Sequence, residues 1–250
     1  MDKVDALILA GAPAGPDLDP SGQKGSRAMI EVAGKSMLAW VTDALRGADL
    51  VGSIAAVGNV TGDGLGTVVE PGGDLVENIR LGLRALDTGG PVLLVSSDIP
   101  LLTAEAVDDF VARALPLGAD LVYPIVPRPR CEARYPGLKR TYLKTADGVF
   151  TGGNIMLMRP DFLQRSQDAI AQAYAARKQP LKLARMIGIG VLARTLVGQI
   201  VPGALKVSTL ERAVSRALAA NVVALVSDYP EIGEDVDKPS DLAAVGSLLL

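Results

Sequence analysis

The sequence predicts an α/β fold in which a mostly parallel sheet lies between two layers of helices. Two observations predict it. Short apolar runs typical of buried strands alternate with amphipathic segments that begin at helix-capping residues. The run 92–95 is apolar throughout, as expected for a strand covered on both faces. The length of 250 residues suits one domain spanning 1–250, without an internal repeat or a linker.

The first half of the chain alternates strand and helix. Strands are predicted at 4–10, 53–57, 67–69 and 91–95, and helices at 36–46, from Asp74 and from Thr103. The helix after Asp74 begins with the capping box Asp74-Leu-Val-Glu77. Its apolar stripe consists of Val76, Ile79, Leu83 and Leu86, the spacing of a helix that packs on one face.

The second half continues the alternation around one basic insert. Strands are predicted at 119–123, 149–158 and 221–226, with Gly152 and Gly153 interrupting the second. The insert, at about 124–147, is expected to be irregular. Helices are predicted from Pro160 to about 176, at 180–197, after a cap at Ser208 to Glu211, and from Pro239.

Composition excludes several classes of function. The net charge of −3 and isoelectric point near 5.1 argue against nucleic acid as a partner. With no histidine, histidine triads and histidine metal sites are excluded. One cysteine cannot form an internal disulfide, and the charged N-terminus is unlike a signal peptide, so we expect a cytoplasmic protein. The apolar stretch 186–201 is short and contains Arg194 and Gln199, so we expect no stable membrane span.

Two acidic turns are the strongest candidates for chemistry. Asp98 follows the strand 92–95, at the carboxyl end where open α/β sheets bind ligands. Asp237 lies shortly before the last predicted helix, with Asp235 as the alternative ligand. If the fold brings these turns together, the carboxylates could hold Mg²⁺ against the phosphates of a nucleotide. Each side chain could also simply cap a turn or a helix.

Two common nucleotide-binding motifs do not fit the first loop. A dinucleotide-binding turn, G-x-G-x-x-G, opens directly into a helix, whereas no helix is predicted between Gly11 and Ser36. A P-loop that ends at Gly34-Lys35-Ser36 would need glycine at position 29, which is methionine. The first loop therefore needs another explanation.

The order of several motifs resembles the NTP-transferase, or nucleotidyltransferase, superfamily. At the N-terminus they are Leu9-Ala-Gly11, a loop with Lys24 and Arg27, and the segment 30–38. Further along they are Gly72-Gly73-Asp74 with Asn78, Ser97-Asp98-Ile-Pro100, the segment 149–157, and Val236-Asp237-Lys-Pro239. The chain is similar to the molybdenum cofactor guanylyltransferases and cytidylyltransferases. The resemblance implies a three-layer Rossmann-like fold of the glycosyltransferase-A, or nucleotide-diphospho-sugar transferase, type.

The resemblance also implies a reaction and a set of residues. The reaction is Mg²⁺-dependent transfer of a nucleoside monophosphate from an NTP to a phosphorylated or otherwise anionic small-molecule acceptor, with release of pyrophosphate. Asp98 and Asp237 would bind the metal, and Arg27, Lys24 and Asp98 would be catalytic. The implied nucleotide-binding residues are Leu9, Ala10, Gly11, Ala12, Arg27, Gly72, Gly73, Asn78 and Ser97. The implied acceptor-binding residues are Gly153, Asn154, Arg140 and Lys144.

Several alternatives stay open. The basic residues of the insert could bind the acceptor or form a solvated surface; they are Arg128, Arg130, Arg134, Lys139, Arg140 and Lys144. Cys131 lies among these cations, which predicts a lowered pKa and a more reactive thiol, although a single cysteine without a histidine partner is more often incidental than a nucleophile. The apolar segment 181–201 could serve a homodimer interface or a membrane-linked substrate. The alternative functions are a nucleotide-sugar-dependent glycosyltransferase and a degenerate, non-catalytic nucleotide-binding module.

Overall fold

The computed structural model of the protein describes residues 3–62, 64–176 and 205–250. The strands are β1 Val4–Leu9, β2 Glu31–Val32, β3 Lys35–Ser36, β4 Val51–Val57, β5 Thr67–Val69, β6 Val92–Ser96, β7 Leu121–Pro127, β8 Leu143–Thr145, β9 Gly148–Gly152, β10 Ile155–Met158 and β11 Val222–Val226. The helices are α1 Met37–Gly47, α2 Leu75–Leu86, α3 Ala104–Ala114, α4 Arg128–Arg134, α5 Pro160–Ala176, α6 Val207–Leu218 and α7 Pro239–Leu249. The predicted helix 180–197 and the apolar segment 181–201 lie outside the described residues.

Nine of these strands form one mixed sheet. Its order is β5-β4-β1-β6-β10-β7-β9-β8, and β11 pairs with β7. Seven of the nine run in one direction, and β9 and β10 run in the other. β9 and β10 pair with the same side of β7, as two parts of one strand interrupted at Gly153 and Asn154, and β11 pairs with the other side. The predicted α/β fold is confirmed, with one interrupted antiparallel strand inside the sheet.

Helices cover both faces of this sheet. Successive side chains of a strand point to opposite faces, so Ile8 and Leu7 of β1 belong to two different apolar clusters. On the Ile8 face, α1 and α3 complete the cluster, with Phe110 fully buried. On the Leu7 face, helices α2, α5 and α6 complete the other apolar cluster, with Phe162 almost fully buried. Burying each of these phenylalanines contributes about 2–3 kcal/mol. No helix in the described ranges is long and apolar enough to cross a membrane.

Most helices begin where the sequence predicts. Ser36, Asp74 and Thr103 each accept a hydrogen bond from the backbone amide three residues later, at 3.1, 2.9 and 3.2 Å, and so cap α1, α2 and α3. Pro239 occupies the first turn of α7.

The predicted cap at Ser208 is wrong. α6 begins at Val207 after Lys206, which makes no side-chain cap hydrogen bond. Glu211, the predicted partner in that cap, instead accepts a hydrogen bond from the Ala224 amide at 2.8 Å. The local pattern predicted that the Glu211 carboxylate caps the start of the helix, but in the structure it binds the backbone of β11 instead.

The insert at 124–147 is more regular than predicted. β7 continues to Pro127, α4 follows, and β8 pairs with β9. Two of its exposed arginines are paired with carboxylates: Arg128 with Glu132 at 2.6 Å and Arg130 with Asp228 at 3.0 Å.

The prediction of a reactive Cys131 is wrong. The side chain is 2 % exposed, and burial, together with the charge of Glu234, raises the pKa of its thiol to about 11. The exposed cations nearest in sequence do not offset this, because Arg128 and Arg130 are held at the surface by Glu132 and Asp228.

Candidate active site

Three carboxylates meet beyond the carboxyl end of β6. Asp98 follows this strand, while Asp235 and Asp237 lie on the segment before α7. The Val236 amide donates a hydrogen bond to the Asp98 carbonyl oxygen at 2.9 Å, which joins the two turns. One oxygen of each carboxylate lies within 4.8 Å of an oxygen of the other two. The structure therefore brings together the two predicted ligands and the alternative one. We call these three residues the acidic cluster.

Arg27 lies between two carboxylates of the acidic cluster. Its Nη1 is 3.2 Å from Asp98 Oδ2 and 2.5 Å from Asp237 Oδ1. Burial alone would lower the pKa of Arg27, but the charges of Asp98 and Asp237 outweigh it and raise the pKa above its ordinary value. The guanidinium therefore keeps its charge and neutralises part of the cluster.

The loop between β1 and Arg27 folds back onto the end of β1, which places Arg27 there. Ser26 Oγ donates to the Ala10 carbonyl oxygen at 2.7 Å, and the Arg27 amide donates to that of Ala12 at 2.9 Å. Asp19, 7 % exposed, accepts hydrogen bonds from Ser21 Oγ and from the Lys24 amide, both at 2.7 Å. The sequence analysis missed the role of Asp19, although Asp followed by Pro and Ser is a turn-forming pattern.

Of the two serines before Asp98, it is the first that contacts the acidic cluster. Ser96 Oγ donates to Asp98 Oδ1 at 2.5 Å. Ser97, the residue predicted to bind nucleotide, is 3 % exposed and so has little surface to offer. Ser96 is the last residue of β6, whereas Ser97 lies in the turn that follows it.

A second arginine holds the remaining carboxylate of the acidic cluster. Arg140 forms an ion pair with Asp235 through Nη1, and its Nε is 3.9 Å from Glu234 Oε2. Glu234 is 1 % exposed, and burial raises its pKa to about 7 although Arg140 opposes the shift. Burial likewise raises the pKa of Asp235. Arg140 was predicted to bind the acceptor, but its charge is already used by two carboxylates inside the protein.

The glycines predicted to meet the nucleotide gather around Asn78. A Cβ added to Gly11 would lie 3.1 Å from Asn78 Nδ2, and Asn78 Oδ1 accepts a hydrogen bond from the Gly72 amide at 2.7 Å. Gly11, Gly72 and the neighbouring Gly73 are exposed. This end of the β-sheet thus presents an open surface of backbone with one fixed amide side chain. Leu9 and Ala10 lead into it, with the Ala10 side chain fully buried, and Ala12 is exposed.

The break between β9 and β10 lies against the acidic-cluster end of β6. The Asn154 carbonyl oxygen accepts a hydrogen bond from the Ser96 amide at 2.9 Å, and its own amide donates to Ile232 at 2.8 Å. A Cβ on Gly153 would lie 2.6 Å from Ile232 Cγ2 and 2.8 Å from Pro124 Cγ. Close packing therefore explains why residue 153 is a glycine. Asn154 lies next to Ser96, near the acidic cluster.

The two predicted lysines lie on exposed parts of the chain. Lys24 Nζ pairs with Glu31 Oε1 at 2.7 Å, and both side chains are largely exposed. Lys144 is an exposed residue of β8. The resemblance implied that both contact substrate, whereas the ion pair of Lys24 is with Glu31 rather than with the acidic cluster.

The acidic cluster has the composition of a divalent-cation site. Mg²⁺ takes oxygen ligands, commonly one or two carboxylates together with substrate phosphates. Asp98, Asp235 and Asp237 offer such oxygens in one place, and Arg27 supplies a further cation beside them. A cation held by the carboxylates and an arginine next to it could together neutralise a polyphosphate.

Comparisons with known proteins agree with this site. Residues 6–193 match the family described as the MobA-like NTP transferase domain, and the chain belongs to this nucleotidyltransferase family. The predicted superfamily is confirmed. The protein is similar to a hypothetical transferase from Thermus thermophilus, with 38 % identity over 96 % of this chain and 99 % of that one and a TM-score of 0.82.

More distant structures share the fold. They are 2-C-methyl-D-erythritol 4-phosphate cytidylyltransferase from Thermus thermophilus (18 % identity, 98 % of each chain, TM-score 0.57) and CMP:2-keto-3-deoxy-manno-octonic acid synthetase (11 % identity, 100 % of this chain and 98 % of that one, TM-score 0.59). These likenesses confirm the predicted type of α/β fold. Comparison with curated protein sequences found no significant match.

Proposed function

We propose that the protein transfers a nucleoside monophosphate from an NTP to a phosphorylated or otherwise anionic small-molecule acceptor and releases pyrophosphate. The observation that carries the proposal is the convergence of Asp98, Asp235 and Asp237 at the end of β6, with Arg27 among them. Membership of the NTP transferase family supports an NTP as the donor. The cytoplasmic location expected from the sequence and the homodimer stay predictions.

The reaction needs positioned charge more than acid–base groups. An oxygen of the acceptor attacks the α-phosphorus, a new P–O bond forms, and the bond to pyrophosphate breaks. Asp98, Asp235 and Asp237 would hold the divalent cation, which when bound neutralises phosphate oxygens and orients them. Arg27 would exchange its carboxylate partners for phosphate oxygens of the NTP, because its side chain stays charged and partly exposed.

The open glycine surface is the proposed place of the nucleoside. Gly11, Gly72 and Gly73 are exposed at this end of the sheet, and Asn78 is oriented by its hydrogen bond to the Gly72 amide. The amides of Gly11 and Ala12 would line the nucleotide next to the loop that carries Arg27, whereas the Ala10 amide donates to the Val57 carbonyl oxygen at 2.9 Å. Asn154 lies on the other side of Asp98, where the acceptor would enter.

Pyrophosphate release tests the proposal. Each NTP is incubated with Mg²⁺ and a panel of phosphate monoesters, using wild type, Asp98→Asn and the control Asp43→Asn. Asp43 is an exposed residue of α1 paired with Lys35. We expect release with one NTP, a loss of at least a thousandfold in Asp98→Asn and no change in Asp43→Asn. Turnover of a nucleotide-sugar without any use of NTPs would instead identify a glycosyltransferase, and NTP binding without release would favour the degenerate module.

A further inference from the structure

Arg27 contacts the carboxylate oxygens that a divalent cation in the acidic cluster would use. Its Nη1 donates to Asp98 Oδ2 at 3.2 Å and to Asp237 Oδ1 at 2.5 Å, so one nitrogen bridges two of the three carboxylates. The other oxygen of Asp98, Oδ1, accepts a hydrogen bond from Ser96 Oγ at 2.5 Å. The oxygen of Asp98 that Ser96 leaves for another ligand is therefore the one that Arg27 contacts.

The third carboxylate of the acidic cluster is held independently of Arg27. Asp235 forms its ion pair with Arg140, and both of these side chains are mostly buried. Asp237, one of the two partners of Arg27, is largely exposed. Breaking a buried pair leaves a charge without compensation, whereas an exposed pair exchanges its partners at little cost. Of these two arginines, Arg27 is thus the one that can leave the acidic cluster.

The contacts with the acidic cluster leave the Arg27 side chain incompletely bonded. Its Nε is buried and has no hydrogen-bond partner among the residues that the structure describes. A buried donor without a partner carries a desolvation cost that a new acceptor would remove. The planar guanidinium presents Nε and a terminal nitrogen side by side, the geometry that binds two oxygens of one phosphate group. A phosphate bound in this way would satisfy a donor that the carboxylates do not reach.

Arg27 and a divalent cation cannot both hold the same oxygens. Asp98 and Asp237 attract each of them, but two positive charges repel each other at the short distance that shared ligands impose. A cation that binds alone must therefore displace the Arg27 side chain. A cation that binds together with a polyphosphate offers that side chain a new anionic partner.

We propose that Arg27 is the counter-ion of the acidic cluster, that it competes with the divalent cation for Asp98 and Asp237, and that this competition couples cation binding to NTP binding. A cation alone binds weakly, because it leaves Arg27 without an anionic partner. An NTP takes up Arg27 through its phosphates and so releases the two carboxylates to the cation. The coupling rests on the proposed function, since it requires an NTP at this end of the sheet, whereas the competition does not.

Binding of Mn²⁺ alone tests the competition, because Mn²⁺ accepts the same oxygen ligands as Mg²⁺ and its free ion gives an electron paramagnetic resonance signal that binding removes. We expect Arg27→Met to bind Mn²⁺ about tenfold more tightly than wild type, since the cation no longer displaces charge-assisted hydrogen bonds. Arg27→Gln, which removes the charge but keeps a polar side chain, should show the same gain. A circular dichroism melt shows whether each variant is folded. Affinity that does not rise in either variant would overturn the proposal.

Two further variants locate the effect. Arg165 Nη2 lies 2.6 Å from Asp120 Oδ1 and 3.6 Å from Asp161 Oδ2, a similar bridge at the opposite end of the sheet, where β7 begins. Arg165→Met removes the same charge and should leave Mn²⁺ affinity unchanged. Asp98→Asn should lower it by about tenfold or more. An equal gain in Arg165→Met, or unchanged affinity in Asp98→Asn, would place the effect outside the acidic cluster and overturn the proposal.

Titration calorimetry with ATP, GTP, CTP and UTP, in excess Mg²⁺ and in a chelator, measures the coupling. The factor by which Mg²⁺ raises NTP affinity should be about tenfold smaller in Arg27→Met than in wild type, because linkage between two ligands is reciprocal. The Mg²⁺–NTP complex in solution contributes equally to both proteins, so it cancels in this comparison. An equal factor in the two proteins would overturn the coupling.

The same proteins separate this inference from the proposed function. If pyrophosphate release depends on Asp98 but Mn²⁺ binds equally to wild type and Arg27→Met, the competition fails and nucleotidyl transfer stands. If Arg27→Met gains Mn²⁺ affinity and no NTP releases pyrophosphate, Arg27 stands as the counter-ion of the acidic cluster and the proposed function fails.

Discussion

The acidic cluster has two sides, each held by one arginine, and the two sides differ in exposure. On the outer side, Arg27 pairs with Asp98 and with Asp237, whose side chain is 64 % exposed. On the inner side, Arg140 pairs with Asp235 and lies near Glu234, whose side chain is 2 % exposed. An exposed pair exchanges partners at little cost, whereas breaking a buried pair leaves a charge without compensation. Arg27 is therefore suited to substrate and Arg140 to structure.

Replacing the inner arginine should have the largest effect on stability. Arg140→Met leaves Asp235 and Glu234 without their cation, and we expect the free energy of unfolding to fall by about 3–5 kcal/mol. Urea denaturation measures it. Arg128→Met is the matched control, because its partner Glu132 is exposed, and it should cost less than about 1 kcal/mol. Equal losses of unfolding free energy in the two variants would show that the ion pairs of the inner side contribute no more to stability than an exposed pair.

The thiol of Cys131, which is buried beside Glu234, allows a second test of burial on the inner side of the acidic cluster. With its pKa raised to about 11, Cys131 is almost entirely protonated at pH 8, and the thiolate is the reactive form. We expect alkylation by iodoacetamide at pH 8 to be at least a hundredfold slower in the folded protein than in urea. Mass spectrometry follows the modification. Rapid labelling of the native protein would contradict the burial of this side.

Replacing the outer arginine should affect substrate more than stability. Arg27→Met should weaken NTP–Mg²⁺ binding about thirtyfold, because a charge-assisted contact to phosphate is worth about 2 kcal/mol. The free energy of unfolding should fall by less than in Arg140→Met, since Asp237, one of the two partners of Arg27, is exposed. Titration calorimetry and urea denaturation report the two quantities. A large loss of stability with unchanged NTP affinity would reverse the roles assigned to the two arginines.

The smallest effect is expected for the other cation of the first loop. Lys24 is paired with Glu31 on an exposed surface, so Lys24→Met should change NTP affinity by less than about threefold. The same calorimetric titration as for Arg27→Met makes the comparison direct. A loss equal to that of Arg27→Met would restore the catalytic role that the sequence predicted for Lys24.

The fold could be predicted from the sequence because local patterns and packing agree. Ser36, Asp74 and Thr103 cap helices as their spacing indicates, and the apolar run of β6 is buried on both faces. These are features that a single segment of sequence determines. The meeting of Asp98 with Asp237 was instead implied by the resemblance to the nucleotidyltransferases, because the two residues lie far apart in the chain.

The differences between similar residues could not be predicted. Arg27 and Arg140 look alike in sequence, and only the tertiary structure places one beside exposed Asp237 and the other against buried Glu234. Ser96 and Ser97 are neighbours, and only the structure shows that Ser96 contacts Asp98 while Ser97 is buried in the turn after β6. Burial and pairing over long separations decide such cases.

Thermal stabilisation by each NTP, with and without Mg²⁺, tests the central claim that the acidic cluster and Arg27 form a metal-dependent nucleotide site. The comparison uses wild type, Asp98→Ala and the control Asp43→Ala. A ligand at a hundredfold excess over its Kd stabilises the folded state by about 2.7 kcal/mol. We predict such a shift for one NTP, only with Mg²⁺, retained in Asp43→Ala and lost in Asp98→Ala. An equal shift in wild type and Asp98→Ala, or the lack of a shift with every NTP, would contradict the account.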